Sequence, residues 1–201
     1  MIYNLFPVPV LEQNLERNFT ETELSFCNMC RESLEKNDGN TTSTNRYVLE
    51  DARLKSVRSF AMNGVNLFIK DIVCPKENVT PYITQSWFNY TDKGQYHHKH
   101  THPNSYISGV MYFSSDEEKD KITFYNPNFN YILDLPTENF NPYNSQSWWL
   151  KAKTGTMYIF PSKIHHEVYI TESSDTRISL SFNVFMKGQI GEEKTLTSLR
   201  L

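Results

Sequence analysis

All 6 histidines of this 201-residue chain fall in two short segments. Residues 96–103 read Tyr-His-His-Lys-His-Thr-His-Pro, and the remaining two are His165 and His166. Alternate residues of an extended chain point to the same side, so His100 and His102 can approach one metal ion together. A third imidazole from the second segment would complete a facial ligand set with open positions. Such a set suits a non-haem iron ion that must also bind substrate and O₂.

Two amphipathic helices are predicted before the histidines. Thr20 and Glu23 form a capping-box pattern. Behind it, mostly at helical spacing, come Leu24, Cys27, Cys30 and Leu34. This run ends at the turn-forming residues 37–40. The second helix has an apolar stripe at steps of three or four residues, formed by Leu54, Val57, Ala61, Val65, Phe68 and Ile72. Both helices should pack against a sheet.

From about residue 80 the apolar period changes to two, which predicts strands. The candidate strands are Ile83–Tyr90, Tyr106–Phe113, Lys121–Tyr125, Ser147–Ala152, Thr156–Phe160, Glu167–Thr171 and Arg177–Phe185. Short strands after two helices favour a mainly β (α+β) fold, a double-sheet barrel or jelly roll with the N-terminal helices backing one sheet. We expect a single domain over 1–201, with a supporting segment at 1–80, a barrel core at 81–186 and a polar tail at 187–201.

Composition and charge argue against several classes of function. The net charge is −3 and no Lys/Arg block is present, so a role on nucleic acid or at a membrane surface has little support. No apolar stretch approaches the roughly 20 residues that span a bilayer. With 3 cysteines and no leader-like start, we expect a cytoplasmic protein without a disulfide framework.

Three further pieces of sequence follow His-x-His-Pro at 100–103: Ser-Gly-Val-Met-Tyr-Phe at 108–113, Phe-Pro-Ser at 160–162 and Arg-Ile-Ser-Leu-Ser-Phe-Asn at 177–183. In this order and spacing they resemble the 2-oxoglutarate/Fe(II) oxygenase family of marine bacteria and phages, which is distantly similar to prolyl hydroxylases. The resemblance covers roughly residues 86–185. It implies a double-stranded β-helix (cupin-like) that binds Fe(II), 2-oxoglutarate and O₂ in the cytoplasm of a bacterium or of a phage host.

Carried over residue by residue, the resemblance implies the metal ligands. His100 would be the first ligand, and His102 stands where most 2-oxoglutarate oxygenases have Asp or Glu. His166 matches the distal ligand, with His165 as the alternative, because strand alternation lets only one of the two face the barrel interior. We expect His97 and His98 to lie at the surface or at the pocket rim.

The same resemblance implies how 2-oxoglutarate is held. Arg177 matches the arginine that binds its far carboxylate, a task suited to a planar, always-charged side chain. Tyr112 matches a tyrosine that assists this carboxylate, and Ser179 and Ser181 share the strand face of the arginine. For Tyr112 and the serines the alternative is barrel lining, and for Arg177 it is a surface ion pair. For Asn89 two roles stay open, contact with the pocket and structural packing. No catalytic residue beyond the metal ligands is implied.

Three functions stay open, because His102 leaves the iron centre one unit more positive than a carboxylate would. The retained Arg177 favours a 2-oxoglutarate-dependent dioxygenase, a hydroxylase of an unknown small molecule or peptide. The rivals are a three-His cupin-type iron dioxygenase that uses no 2-oxoglutarate, and a non-catalytic barrel. The aromatic segment 126–146, which includes Phe129, Tyr131, Phe140 and Tyr143, is expected to be a binding loop or lid. A homodimer is possible.

Overall fold

The computed structural model describes residues 1–76, 79–129, 133 and 135–201. The helices are α1 (Glu21–Arg31) and α2 (Lys55–Phe68), and a π-helical turn at Ile69–Val73 continues α2. The strands are β1 (Leu11–Asn14), β2 (Leu34–Lys36), β3 (Thr41–Ser43), β4 (Val79–Thr91), β5 (His97–His100), β6 (Ile107–Ser114), β7 (Lys121–Tyr125), β8 (Ser147–Lys151), β9 (Thr156–Pro161), β10 (His166–Val168), β11 (Arg177–Ile190) and β12 (Leu199–Arg200).

Helix α1 begins at the predicted capping box. The Glu23 backbone N donates to Thr20 Oγ1 at 3.2 Å, and the Thr20 backbone N donates back to Glu23 Oε2 at 2.8 Å. Its buried face holds Phe26, Cys27 and Cys30. The prediction was wrong about Leu24 and Leu34, which are exposed. Leu34 lies outside the helix, because residues 34–36 pair with residues 41–43 in a hairpin.

Helix α2 buries the predicted stripe against the larger sheet, with one exception. Leu54, Val57, Ala61, Val65 and Phe68 are buried, but Ile72 is exposed and Ile69 is buried instead. The backbone N of Cys74 bonds the carbonyl of Ile69 at 2.9 Å, a five-residue step. A π turn adds a residue to the helical repeat, so the stripe shifts there.

Two antiparallel sheets make up the rest of the fold. The larger has the order β1-β9-β6-β11-β4-β3-β2, with β12 on β11, and the smaller has the order β5-β10-β7-β8. From β4 to β11 the chain crosses repeatedly between these sheets, which is the double-stranded β-helix that was predicted. One apolar cluster lies between the helices and the larger sheet, and a second lies between the two sheets.

All seven predicted strands have a counterpart, and β4 and β11 are longer than expected. The bounds predicted for Glu167–Thr171 were wrong, since β10 spans only His166–Val168. The missed strands β1, β2, β3, β5 and β12 have at most four residues each, too few for a period to show. Residues 187–201, predicted as a polar tail, contain the end of β11 and its exposed partner β12. The division of the chain at residues 80 and 186 stays a prediction.

Gly109 on β6 gives a test of this packing. A Cβ at this position would lie 2.1 Å from Cζ of the fully buried Phe182 on β11. We expect Gly109→Ala to lower the free energy of unfolding by about 1–3 kcal/mol, because the core must shift. Urea denaturation measures this change. Adding Phe182→Leu should recover part of the loss, and additive effects of the two substitutions would contradict the assigned contact.

Candidate metal centre and its pocket

Three histidines from the two histidine segments meet at the inner side of the smaller sheet. His100 ends β5 and stands opposite His166, the first residue of β10. His102 lies two residues beyond β5, and its backbone N donates to the Ser162 carbonyl at 3.0 Å. Their ligand nitrogens all lie within 4.8 Å of one another, and Nε2 of His102 is 3.3 Å from Nε2 of His166. The three imidazoles could hold one metal ion.

Backbone carbonyls orient two of these rings. Nδ1 of His100 is 2.7 Å from the carbonyl of His98, and Nδ1 of His166 is 3.1 Å from the carbonyl of Ile164. A carbonyl only accepts, so each Nδ1 carries the proton and each Nε2 keeps its lone pair. A metal ligand needs that lone pair, and a second hydrogen bond of this kind is usual for metal-binding histidines.

Burial keeps the cluster neutral. It lowers the pKa of His102 to about 3, with a further contribution from the neighbouring His100. It also lowers the pKa of His166 well below the ordinary value, and that of His100 below it. Neutral imidazole is the form that binds a metal, so these rings need lose no proton near pH 7.

The choice between His165 and His166 follows from strand alternation. His166 is buried and its ring contacts Phe160 and Phe124, at centroid distances of 4.8 and 6.0 Å. His165 is exposed on the other side of the strand. The structure therefore brings His166, and not His165, together with the pair His100 and His102.

Arg177 is a buried charge with few partners. Its side chain lies on β11, the residue is 2% exposed, and Nη2 donates to Thr91 Oγ1 at 3.3 Å. Nε and Nη1 are buried and have no hydrogen-bond partner, and no carboxylate in the described part of the chain forms an ion pair with this arginine. The alternative of a surface ion pair is therefore wrong. A buried cation without a counter-charge is costly, which suits a site for an anionic ligand such as a carboxylate.

Tyr112 and Ser179 lie next to this guanidinium. They stand opposite each other on β6 and β11, and both are buried. Burial raises the pKa of Tyr112, so its hydroxyl keeps its proton. Nδ2 of Asn89 donates to Ser181 Oγ at 2.9 Å and approaches Ser179 Oγ at 3.4 Å, so Asn89 ties the serines to β4.

One cavity between the sheets joins these groups. Its lining includes every predicted site residue, namely His100, His102, His166, Tyr112, Arg177 and Ser179. Its remaining walls are mostly apolar, including Val110, Ile122 and Phe160. The space thus has nitrogens that could bind a metal, a cationic group and mostly apolar walls, which together suit a small anionic ligand that also contacts a metal ion.

From the sequence, His97 is expected at the surface or at the pocket rim, but its side chain lines the cavity itself. Its ring stacks on His100 with 4.6 Å between centroids and 14° between planes. Residues three apart on a regular strand face opposite sides, but here the four residues His97–His100 of β5 lie opposite the three residues His166–Val168 of β10. This bulge brings His97 onto the cavity side.

The described residues of the segment 126–146 are not among those that line this cavity. Its described residues Pro142 and Tyr143 line a separate apolar hollow with Phe6 and Trp148, while Phe140 is exposed. Tyr131 lies outside the described residues. A lid function for this segment stays a prediction. Within the described ranges, no helix has the length and hydrophobicity needed to cross a membrane.

Comparison with known proteins gives one family. The family model described as "Putative 2OG-Fe(II) oxygenase" (2OG is 2-oxoglutarate) matches residues 85–183. No curated protein matches this sequence.

Among solved structures, a Burkholderia pseudomallei oxidoreductase of the 2OG-Fe(II) oxygenase family is 12% identical, with a TM-score of 0.57 over 87% of this chain and 83% of that one. HygX from Streptomyces hygroscopicus, with nickel, 2-oxoglutarate and hygromycin B bound, is 10% identical, with a TM-score of 0.60 over 88% and 82%. A prolyl hydroxylase from Trichoplax adhaerens, in complex with a hypoxia inducible factor peptide fragment, is 12% identical, with a TM-score of 0.54 over 94% and 87%. At these identities the likeness shows the fold.

The adjacent histidines give a matched test of the metal centre. We expect His166→Ala to weaken Fe(II) binding by at least about tenfold, because it removes one of three ligands. His165→Ala should leave the affinity unchanged, since its ring is exposed. Anaerobic titration with Fe(II) measures both variants. If His165→Ala weakened Fe(II) binding and His166→Ala did not, the third ligand would be His165. If both variants bound Fe(II) as tightly as wild type, the proposed metal site would be wrong.

Proposed function

This chain belongs, through residues 85–183, to the 2OG-Fe(II) oxygenase family, and from that premise we propose that it is an Fe(II)- and 2-oxoglutarate-dependent dioxygenase that hydroxylates a small molecule or a peptide. The observation that carries the proposal is the buried guanidinium of Arg177, which shares a cavity with three convergent histidines and has two nitrogens without a partner among the described residues. Neither the buried guanidinium nor the histidine cluster alone would indicate a 2-oxoglutarate-dependent reaction.

His100, His102 and His166 would hold the metal ion. Three imidazoles that converge from one side leave the other coordination positions for 2-oxoglutarate and O₂. The donor set fits iron, since imidazole is one of its usual ligands. The carbonyls that fix two of the rings support the same assignment.

Arg177 would bind the far carboxylate of 2-oxoglutarate while the keto acid end contacts the metal. Charge-assisted hydrogen bonds to a carboxylate would satisfy the buried nitrogens that have no partner within the described ranges. Tyr112 and Ser179 lie beside it with hydroxyl groups that could add hydrogen bonds to the same carboxylate. These roles explain why a cation is buried where no acidic side chain pairs with it.

With O₂, Fe(II) and 2-oxoglutarate supply the chemistry, in which decarboxylation of 2-oxoglutarate to succinate and CO₂ is coupled to insertion of one oxygen atom into a C–H bond. The chain itself binds, orients and excludes water. Val110, Ile122 and Phe160 form apolar walls, which strengthen the electrostatic interactions within the cavity and limit side reactions with water.

The substrate class remains broad in this proposal. HygX holds the small molecule hygromycin B and the Trichoplax prolyl hydroxylase holds a peptide, so similar folds accept both classes. The rival three-His dioxygenase without 2-oxoglutarate would leave Arg177 buried beside no anion. The unpaired nitrogens of this residue therefore favour the 2-oxoglutarate-dependent reaction.

Arg177→Ala tests the function. The protein is loaded with Fe(II), and succinate formation from 2-oxoglutarate is followed in air, with binding measured by calorimetry under argon. We expect the variant to weaken 2-oxoglutarate binding by about a hundredfold or more, because several hydrogen bonds to a charged group are lost. Succinate formation should fall accordingly.

Arg58→Ala, on the exposed side of α2, is the matched control and should behave as wild type. Wild-type protein that binds Fe(II) but not 2-oxoglutarate would favour the three-His dioxygenase. Folded protein that retains no metal would favour a non-catalytic barrel.

A further inference from the structure

The turn at residues 37–40 joins β2 and β3, is held by hydrogen bonds of its own and packs against the histidine segment. The backbone N of Asn37 donates to the Asn40 carbonyl at 2.9 Å, and Nδ2 of Asn37 donates to Asn40 Oδ1 at 2.8 Å. Gly39 has φ +91 and a Cβ there would lie 2.6 Å from the Tyr96 carbonyl oxygen, so glycine allows a close approach to the histidine segment. The turn is thus rigid and packed against β5.

From this turn a chain of hydrogen bonds reaches Arg177. Nδ2 of Asn40 donates to Thr91 Oγ1 at 3.3 Å, and Nη2 of Arg177 donates to the same oxygen at 3.3 Å. The exposed fractions of Asn40, Thr91 and Arg177 are 3%, 0% and 2%. Thr91 also stands directly opposite Arg177 on the paired strands β4 and β11. A hydroxyl oxygen has two acceptor sites, so it can serve both donors.

The same turn contacts the histidine segment. Nδ2 of Asn37 lies 3.4 Å from Nε2 of His97, whose ring stacks on His100. Nδ1 of His98 lies 3.2 Å from the carbonyl of Asp38. Between them, residues of this one turn therefore contact Thr91, which is the partner of Arg177, and β5, which contains the proposed metal ligand His100.

We propose that the Asn37–Asn40 turn is a positioning element, which through Asn40 and Thr91 fixes the Arg177 guanidinium within the cavity that it shares with the three histidines. The inference rests on the proposed function. A long arginine side chain has many rotamers, and the hydrogen bond to the Thr91 oxygen restricts them before the ligand arrives. Thr91 and Asn40 are positioning residues in this scheme, because they act through Arg177.

The test compares two keto acids that share the metal-binding end. 2-Oxoglutarate has a far carboxylate and 2-oxobutyrate has none, so only the former depends on Arg177. In Fe(II)-loaded protein under argon, we expect Thr91→Val to raise the Kd of 2-oxoglutarate on the order of tenfold. The Kd of 2-oxobutyrate should stay within about twofold, since no bond of the metal-binding end is altered.

Three further variants complete the test. Thr91→Ser keeps the hydroxyl and should keep the wild-type preference for 2-oxoglutarate. Thr84→Val, also on β4, removes a hydroxyl that donates to the Asn183 carbonyl and should leave both Kd values unchanged. Asn40→Ala removes the donor to Thr91 while retaining Thr91 itself, so it should lower the preference even if Thr91→Val does not fold.

The possible outcomes separate the two proposals. Wild-type protein without a preference for 2-oxoglutarate would overturn the role of Arg177 and with it the proposed function. A wild-type preference that Thr91→Val and Asn40→Ala both retain would overturn the positioning role alone. Equal losses for both keto acids would likewise contradict it, because a general structural defect does not depend on the far carboxylate.

Discussion

The buried positive charge of Arg177 is the constraint on which the rest of this structure depends. A guanidinium that is 2% exposed is costly unless charged and polar groups compensate for the lost water. Burial lowers its pKa, while Tyr112 and the buried Asp120 raise it. These groups support the cation without pairing with it. The fold thus accepts a local cost that a bound carboxylate would remove, and such a ligand would stabilise the folded state.

Both sheets are needed to place this charge near the candidate metal centre. The three histidines belong to β5, its following loop and β10 at the smaller sheet, whereas Arg177 belongs to β11 of the larger sheet. A ligand that contacts both therefore spans the space between the sheets. Close packing beneath the site, such as Phe182 against Gly109, keeps the larger sheet in place under α2. Interiors packed in this way transmit small shifts, so residues remote from the ligand influence its fit.

Much of the site could be predicted because its residues obey a period of two. The alternation that pairs His100 with His102 is visible in the sequence, and the motif around Arg177 predicted a carboxylate-binding arginine, a residue that is buried at the same cavity. The position of His97 could not be predicted, since a bulge that depends on the pairing of β5 with β10 brings it to the cavity. The hairpin at residues 34–43 could not be predicted for a similar reason. Its strands have three residues each, and β4, the strand on which β3 pairs in the larger sheet, lies about 50 residues further along the chain.

The neutral histidine at position 102 changes the charge of the proposed complex. Fe(II), the 2-oxoglutarate dianion and Arg177 together give one positive charge, where a carboxylate ligand would give none. In a cavity with apolar walls this difference is screened weakly. Glu167 also lines the cavity and accepts a hydrogen bond from the Tyr125 hydroxyl, so its carboxylate is held at the edge of the site. An extra positive charge favours Fe(II) over Fe(III), and Glu167 is placed to offset part of it. In the proposed complex, a carboxylate outside the ligand set would thus share the charge balance that a metal-bound carboxylate usually provides.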